Sequence, residues 1–348
     1  MSASDSRNEF FDVCKGIGIL CVYYGHTALW GTLPSRMVFS FHMPLFFLLS
    51  GIFFDVEKIP DVGCLMRKVW RNLLVPYCFF VAVGSVIKLD MTITSWSTNP
   101  IRECWRIIHG QGSGAIWFLV CLAMVQILTW FFQKGVAKLG FMQKSFSLVM
   151  LALVLSGGAH ILYLNLSQSI VTRLPFMLAS VPAGMLFFAI GILIKERLIR
   201  FAILHVKPSL CCVVWVITFL AFVAVNIVVV RTFDIRLARF DVRVLPSCSL
   251  GIVMVFFAAK GLDVFNLARK VFARIGERSL FLFALELPLS YFVSKVTGGL
   301  IPDSMLSRNH ALCVEPIRIV VMLLVAWLCS YPAMWMMNGL RRRLDVCS

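Results

Sequence analysis

Charged residues are scarce in this chain. Only 14% of its 348 residues are Asp, Glu, Lys or Arg, and 60% are hydrophobic. A soluble globular domain carries about 25% charged and about 45–50% apolar residues. The mean hydropathy of the chain is +0.88. This composition excludes a soluble globular domain and is typical of an integral membrane protein that crosses the bilayer several times.

Several catalytic and metal-binding motifs are also missing. The sequence contains no GxSxG turn to present a nucleophilic serine and no GxxxxGK[ST] loop to bind nucleotide phosphates. It contains no HExxH and no CxxC. We therefore expect neither a soluble-type serine hydrolase nor a bound metal ion. The six histidines are dispersed: His26, His42, His109, His160, His205 and His310.

The cysteines and the basic charge have plain explanations in a membrane protein. Most of the 12 cysteines lie inside apolar runs, which favours buried small hydrophobic residues over a disulfide framework. The net charge of +16 could indicate nucleic-acid binding. However, the basic residues lie in short loops between apolar runs and not on one amphipathic face, so membrane topology explains them better. We expect no nucleic-acid partner.

Apolar runs of sufficient length recur along the whole chain. A helix needs about 20 apolar residues to cross a hydrocarbon core of about 30 Å, and no run shows the alternation of a membrane barrel. The sequence predicts an all-α polytopic bundle of about ten transmembrane helices, forming a single integral-membrane domain over residues 1–348. The predicted spans are at about 12–30, 36–54, 72–89, 115–133, 146–166, 174–194, 209–230, 245–262, 279–296 and 315–337.

The distribution of Lys and Arg predicts the orientation. The N-terminus lacks a cleavable signal pattern, so the first span should be retained. With both termini in the cytoplasm, most of the 33 Lys and Arg residues lie on the cytoplasmic side, as the positive-inside rule requires. The arginine-rich loop at 231–243 is the exception. It either weakens this orientation or marks a loop that meets an anionic substrate.

Two ionisable residues lie in the first span. Eleven residues of α-helix turn through about 1100°, so Lys15 and His26 share one face and lie about 16 Å apart along the axis. This spacing suits one elongated ligand, such as an acyl-pantetheine with a phosphate at Lys15 and its reactive centre at His26. Alternatively, Lys15 reaches the headgroups and pairs with Asp12, while His26 forms a hydrogen bond across a helix interface.

A second histidine precedes a proline in the second span. If this helix returns from the outside, His42 enters the bilayer at nearly the same depth as His26, and the two side chains could line one cavity. Pro44 would free a backbone carbonyl in that cavity. The alternative is a kinked packing helix in which a neighbour satisfies His42. Because ionisable groups in membranes are costly, we treat both histidines as candidate functional residues.

Five stretches together resemble a known family. In order, "DVCKGIGILCVYYGH", "FSFHMPLFFLLSGIFF", "MRKVWRNLLVPY", "AIWFLVCLAMVQIL" and "FARIGERSLFLFALELPLSYF" are similar to the landmarks of the acyltransferase 3 family of multi-pass membrane O-acyltransferases. The resemblance covers most of the chain. The first stretch contains the family signature of a basic residue, ten intervening residues and a histidine, here Lys15 and His26.

The resemblance implies transfer of an acyl group, usually acetyl, from a cytoplasmic coenzyme A thioester to a hydroxyl of a sugar or glycan. His26 would deprotonate that hydroxyl or accept the acyl group itself, since an imidazole exchanges protons near neutral pH. His42 would orient His26 or the acceptor, or relay the proton. The partners implied are acyl-CoA, a glycan acceptor and the lipids of a bacterial cytoplasmic membrane.

The donor phosphates would meet basic side chains. Lys15 and the loop residues Arg67, Lys68 and Arg71 are the candidates, because arginine forms charge-assisted forked hydrogen bonds to phosphate. The same loop residues also satisfy the positive-inside rule.

An acid lies within the penultimate predicted span. Glu286 stands where family members often have a histidine, and we consider it for acceptor binding or as the partner of a histidine. The rival interpretation of the chain is a proton-coupled transporter or flippase for a sugar or lipid-linked glycan. In that case the buried acid and imidazoles would relay protons.

Overall fold

The computed structural model describes residues 3–26, 32–92, 116–165, 174–200, 207–228, 242–298 and 308–346. These ranges contain helices and no strand, which confirms the predicted all-α class. Within the described ranges, the twelve α-helices are α1 Ala3–Gly25, α2 Leu33–Ile52, α3 Val62–Val69, α4 Val75–Thr92, α5 Trp117–Gly135, α6 Phe141–Asn165, α7 Val181–Arg200, α8 Pro208–Val228, α9 Leu245–Gly261, α10 Asn266–Glu277, α11 Ser279–Gly298 and α12 Arg308–Val346.

Seven segments within the described ranges are long and apolar enough to cross a membrane, which supports the predicted polytopic bundle. They are Leu33–Ile52, Trp117–Gly135, Phe141–Asn165, Pro175–Lys195, Leu210–Val228, Leu245–Val264 and Pro316–Gly339. Helices α1, α4 and α11 occupy the other three predicted positions, so the count of about ten stays a prediction. Most of the arginine-rich loop, residues 231–241, lies outside the described residues.

Helix α1 packs along α10, a short helix that the span prediction treated as a loop. The two backbones approach closely because each helix places a glycine against a backbone carbonyl of the other. A Cβ added at Gly16 would meet the Phe272 carbonyl oxygen, and one added at Gly276 would meet the carbonyl oxygen of Asp12. Small residues allow such close approach in membrane proteins. Helix α10 therefore fixes the position of α1.

Helix α2 lies in the centre of the bundle and is buried over its second half. Glycines again allow the closest contact, this time with α7. A Cβ at Gly51 would meet the Phe188 carbonyl oxygen, and one at Gly191 would meet the Leu48 carbonyl oxygen. Glycine at each position therefore lets α2 and α7 cross with their backbones nearly in contact.

A buried polar cluster joins α2 to α8 and α9. The Ser247 hydroxyl oxygen lies 2.8 Å from the Ser40 hydroxyl oxygen and 3.1 Å from Asn226 Oδ1. The Asn226 amide donates to the Phe222 carbonyl oxygen at 2.8 Å. Each such interhelical hydrogen bond contributes about 0.6 kcal/mol on average in a membrane protein. The cluster is satisfied internally, so its role is to hold α2 in place.

The contact between α1 and α10 yields a stability prediction. The Gly276→Ala substitution places a methyl group against the Asp12 carbonyl, so we expect a lower melting temperature of the purified protein. Gly157→Ala is the matched control, because no heavy atom lies within 4 Å of the added Cβ. Alanine favours a helix over glycine by roughly 1 kcal/mol, so the control should not lower the melting temperature. Equal melting of the two variants would contradict the proposed close contact.

Candidate active site

His26 lies at the carboxyl end of α1. The helix ends at Gly25, and the His26 backbone N–H donates to the Val22 and Tyr23 carbonyl oxygens, each at 3.3 Å. The helix is continuous from Lys15 to this point, so the predicted spacing of about 16 Å along the axis is retained. The histidine therefore lies at the end of the helix, near the far end of the predicted span 12–30.

The structure brings His26 to Glu286 of α11. His26 Nδ1 lies 3.9 Å from Glu286 Oε1. The Glu286 side chain is fully buried, whereas that of His26 is 25% exposed. Neither carboxylate oxygen of Glu286 has a hydrogen-bond partner among the described residues. A buried carboxylate without hydrogen bonds is costly, so the adjacent imidazole is the group that can stabilise it by sharing a proton.

A buried hydrogen bond holds the two helices together beside this pair. The Tyr23 hydroxyl donates to the Leu282 carbonyl oxygen at 2.8 Å. Tyr23 lies one turn before His26 on α1, and Leu282 lies one turn before Glu286 on α11. The hydrogen bond therefore fixes the separation of the two helices near the point where their ionisable side chains meet. Catalytic hydrogen bonds are often longer in the absence of substrate, so 3.9 Å is compatible with acid–base chemistry.

His42 is buried on α2 near the same site. Its Nδ1 atom lies 2.8 Å from the Val38 carbonyl oxygen. A carbonyl oxygen only accepts hydrogen bonds, so Nδ1 carries the hydrogen and Nε2 is left as an acceptor. The Phe39 ring lies beside both histidines, with centroid distances of 5.8 Å to His26 and 5.1 Å to His42. Both histidines thus flank one aromatic ring, and the catalytic role of His42 stays a prediction.

Lys15 lies at the other end of the shared face, within a cavity of about 400 Å³. Its ammonium group contacts Asp12 Oδ1 at 2.9 Å and lies 5.3 Å from the centre of the Phe53 ring. The pairing with Asp12 matches the structural alternative considered for this residue, while its position on the cavity wall matches the ligand-binding one. Both descriptions apply to the same side chain.

The predicted basic loop contributes one residue to this cavity. Lys68 of α3 is half-buried, lies 5.1 Å from the centre of the Phe54 ring and lines the cavity. Burial lowers the pKa of Lys68, so a bound anion would favour its charged form. Arg67 and Arg71 are exposed and are not among the described lining residues. The structure therefore places Lys68 and Lys15 on the wall of one cavity and leaves the two arginines on the surface.

Other polar side chains of the cavity were not singled out from the sequence. They come from four different segments, and an uncharged polar residue in an apolar run gives no distinctive sequence signal. They are Ser50, Asn72, Gln126 and Ser279.

The sequence profile of the acyltransferase 3 family, described as an acyltransferase domain, matches residues 8–331. The chain belongs to this family. Every candidate site residue of this membrane acyltransferase lies within the matched range. No curated protein and no solved structure matches the chain. Within the described ranges, no group of three His, Cys, Asp or Glu side chains could hold a metal ion.

An aromatic clamp fixes the start of α11 in the acyltransferase. The Arg278 guanidinium contacts two nearly perpendicular rings of α12, with its carbon 4.0 Å from the Trp327 ring centre and 3.9 Å from that of Tyr331. It also donates to the Ser330 hydroxyl at 3.2 Å. The next residue, Ser279, lines the cavity. The clamp therefore positions the helix that carries Glu286.

We expect Arg278→Lys to lower the melting temperature of the purified acyltransferase. An ammonium group is more strongly hydrated than a guanidinium and forms weaker contacts with the two rings, and a cation–π contact contributes about 0.5–2 kcal/mol. Arg274→Lys on the exposed face of α10 is the matched control and should melt like the wild type. A clamp variant that melts with the control would show that the stacking contributes nothing.

Proposed function

We propose that the protein is an O-acetyltransferase of the bacterial cytoplasmic membrane that moves an acetyl group from acetyl-CoA to a hydroxyl of a sugar or glycan. Membership of the acyltransferase 3 family supports acyl transfer in general. The observation that carries the proposal further is the pair formed by His26 and the buried Glu286 carboxylate, whose oxygens have no hydrogen-bond partner among the described residues. A histidine oriented by a carboxylate is a general base for hydroxyl activation.

In the proposed reaction, the acceptor hydroxyl gives its proton to His26 as its oxygen attacks the thioester carbonyl. Glu286 accepts a hydrogen bond from Nδ1 and stabilises the imidazolium that forms. The carbon–sulfur bond then breaks, and the thiolate takes the proton from His26 to leave as free coenzyme A. In the alternative route, His26 attacks the thioester carbonyl and coenzyme A leaves as its thiolate. The acceptor oxygen then takes the acyl group from His26, and its proton passes to the thiolate. His42 would orient His26 or the acceptor in the first route and relay the proton in the second.

The donor is proposed to enter from the cytoplasm, with both termini on that side and the whole chain acting as one membrane domain. Lys15 and Lys68 lie together on the cavity wall, where their charges would attract phosphate groups. Arg67 and Arg71 are exposed nearby on the same segment and would bind phosphates farther out. The spacing of about 16 Å between Lys15 and His26 suits the extended pantetheine arm.

The role of His26 is tested by substitution in protein reconstituted into nanodiscs. With radiolabelled acetyl-CoA and a panel of sugar glycosides as acceptors, we expect His26→Ala to lower transfer by about 10²–10⁴-fold, the usual contribution of a general base. His160→Ala on α6 is the matched control and should retain transfer, because that histidine packs on Tyr163 away from the site. Wild-type transfer by a folded His26→Ala variant would reject the proposed base.

The role of Glu286 is tested by removing its charge without changing its shape. We expect Glu286→Gln to lower the kcat of transfer at least 10²-fold, because an amide cannot stabilise the imidazolium as a carboxylate does. Glu286→Asp should restore part of the activity. Unchanged kcat in Glu286→Gln would show that the carboxylate does not act through His26. Sugar flux through proteoliposomes that lack acetyl-CoA would instead support a transporter.

A further inference from the structure

Three phenylalanine rings from three helices meet at the inner wall of the Lys15 cavity. Phe46 of α2, Phe118 of α5 and Phe283 of α11 are all buried and all line the cavity. The ring centres are 6.2 Å apart for Phe46 and Phe118, 5.9 Å for Phe46 and Phe283, and 5.5 Å for Phe118 and Phe283. The rings pack edge to face, which is the favourable geometry for aromatic pairs. We call these residues the phenylalanine triad.

The order of contacts along α1 and α2 places the triad between the cavity and His26. Lys15 lines the cavity. Three residues farther along α1, a Cβ at Gly18 would lie 3.0 Å from Cζ of Phe46. His26 follows at the end of the helix, where it meets Phe39 of α2. Phe46 lies seven residues from Phe39, which is about 10 Å along the helix axis.

Helix α11 repeats this order. Ser279 and Leu280 line the cavity at the start of the helix, and Phe283 lines it one turn later. Glu286 follows three residues beyond Phe283, about 4.5 Å farther along the axis. Neither His26 nor Glu286 is among the described residues that line the cavity. The closed triad therefore separates the cavity from the ionisable pair.

We propose that the phenylalanine triad is a gate that admits the acyl end of the donor to His26 and selects short acyl chains. This inference rests on the proposed function, since it assigns a route to the same donor. Rings packed at these distances leave no passage, so an acyl group reaches His26 only when at least one ring rotates aside. The space left by one displaced ring is small in volume, so it accommodates an acetyl group but not the additional methylenes of a longer chain.

The closed gate also explains how the ionisable pair is kept from water on the Lys15 side. Apolar rings cannot support a chain of hydrogen-bonded water, so the triad limits water and proton movement between the cavity and Glu286. Exclusion of water strengthens the electrostatic interaction of His26 with Glu286 and limits hydrolysis of a bound thioester. The phenylalanine triad thus both selects the length of the acyl chain and limits access of water to His26 and Glu286 from the cavity.

The test measures chain-length preference as the ratio of kcat/KM for hexanoyl-CoA to kcat/KM for acetyl-CoA. We expect Phe283→Ala and the milder Phe283→Leu to raise this ratio, by at least about tenfold for alanine, since each methylene accommodated in a pocket is worth about 10-fold or more. Phe283→Trp should act in the opposite direction and lower kcat for both donors. Phe118→Leu should raise the ratio in the same way as Phe283→Leu.

The matched control is Phe222→Ala on α8. Phe222 is buried and packs edge to face on Phe41, away from the cavity, so its truncation should leave the ratio unchanged. The affinity for coenzyme A, measured by calorimetry, should stay at the wild-type value in the triad variants, because Lys15 and Lys68 are retained. Melting temperatures identify the variants that fold.

The outcomes separate the gate from the proposed function. If folded, active variants of both Phe118 and Phe283 keep the wild-type ratio, the gate is rejected while acetyl transfer stands. An equal rise of the ratio in Phe222→Ala also rejects it, because loosened packing in general would then explain the effect. If the wild type transfers no acetyl group, or His26→Ala retains transfer, the proposed function itself is rejected.

Discussion

A carboxylate buried in an apolar bundle is the constraint on which the site depends. Glu286 is fully buried, and His26 Nδ1 at 3.9 Å is positioned to share a proton with it. Because the pair joins α1 to α11, a displacement of either helix would leave a buried charge without compensation, which costs several kcal/mol. The glycine contacts of α1 with α10, the hydrogen bond from Tyr23 to Leu282 and the aromatic clamp on Arg278 all act on these two helices.

The two ends of the site differ in polarity. At the Lys15 end, lysine side chains line an open cavity, where charge attracts a charged ligand even in a polar medium. Beyond the phenylalanine triad, the Glu286 side chain is fully buried, and electrostatic interactions with it are stronger because the local dielectric constant is lower. The proposed reaction uses this difference. The phosphates of the donor stay on the polar side, and only its uncharged acyl-pantetheine end enters the apolar one.

Sequence patterns located part of the site and left the rest open. Helical periodicity put Lys15 and His26 on one face, and the structure retains that relation because α1 is continuous between them. The sequence identifies Glu286 as an acid in an apolar span but leaves open whether it binds the acceptor or pairs with a histidine. The sequence does not distinguish Arg67, Lys68 and Arg71 as candidate phosphate ligands. Of these three residues, the fold places only Lys68 on the cavity wall.

The sequence by itself determined the membrane class, the helical architecture and the distance between Lys15 and His26, because hydropathy and helical rise are local properties of consecutive residues. Tertiary structure alone decided that Glu286 meets His26, that α10 is a helix packed along α1 and that three phenylalanines from α2, α5 and α11 meet in one layer. Periodicity states which side chains share a helix face. Which other helix covers that face depends on contacts between residues far apart in the chain, here 26 and 286.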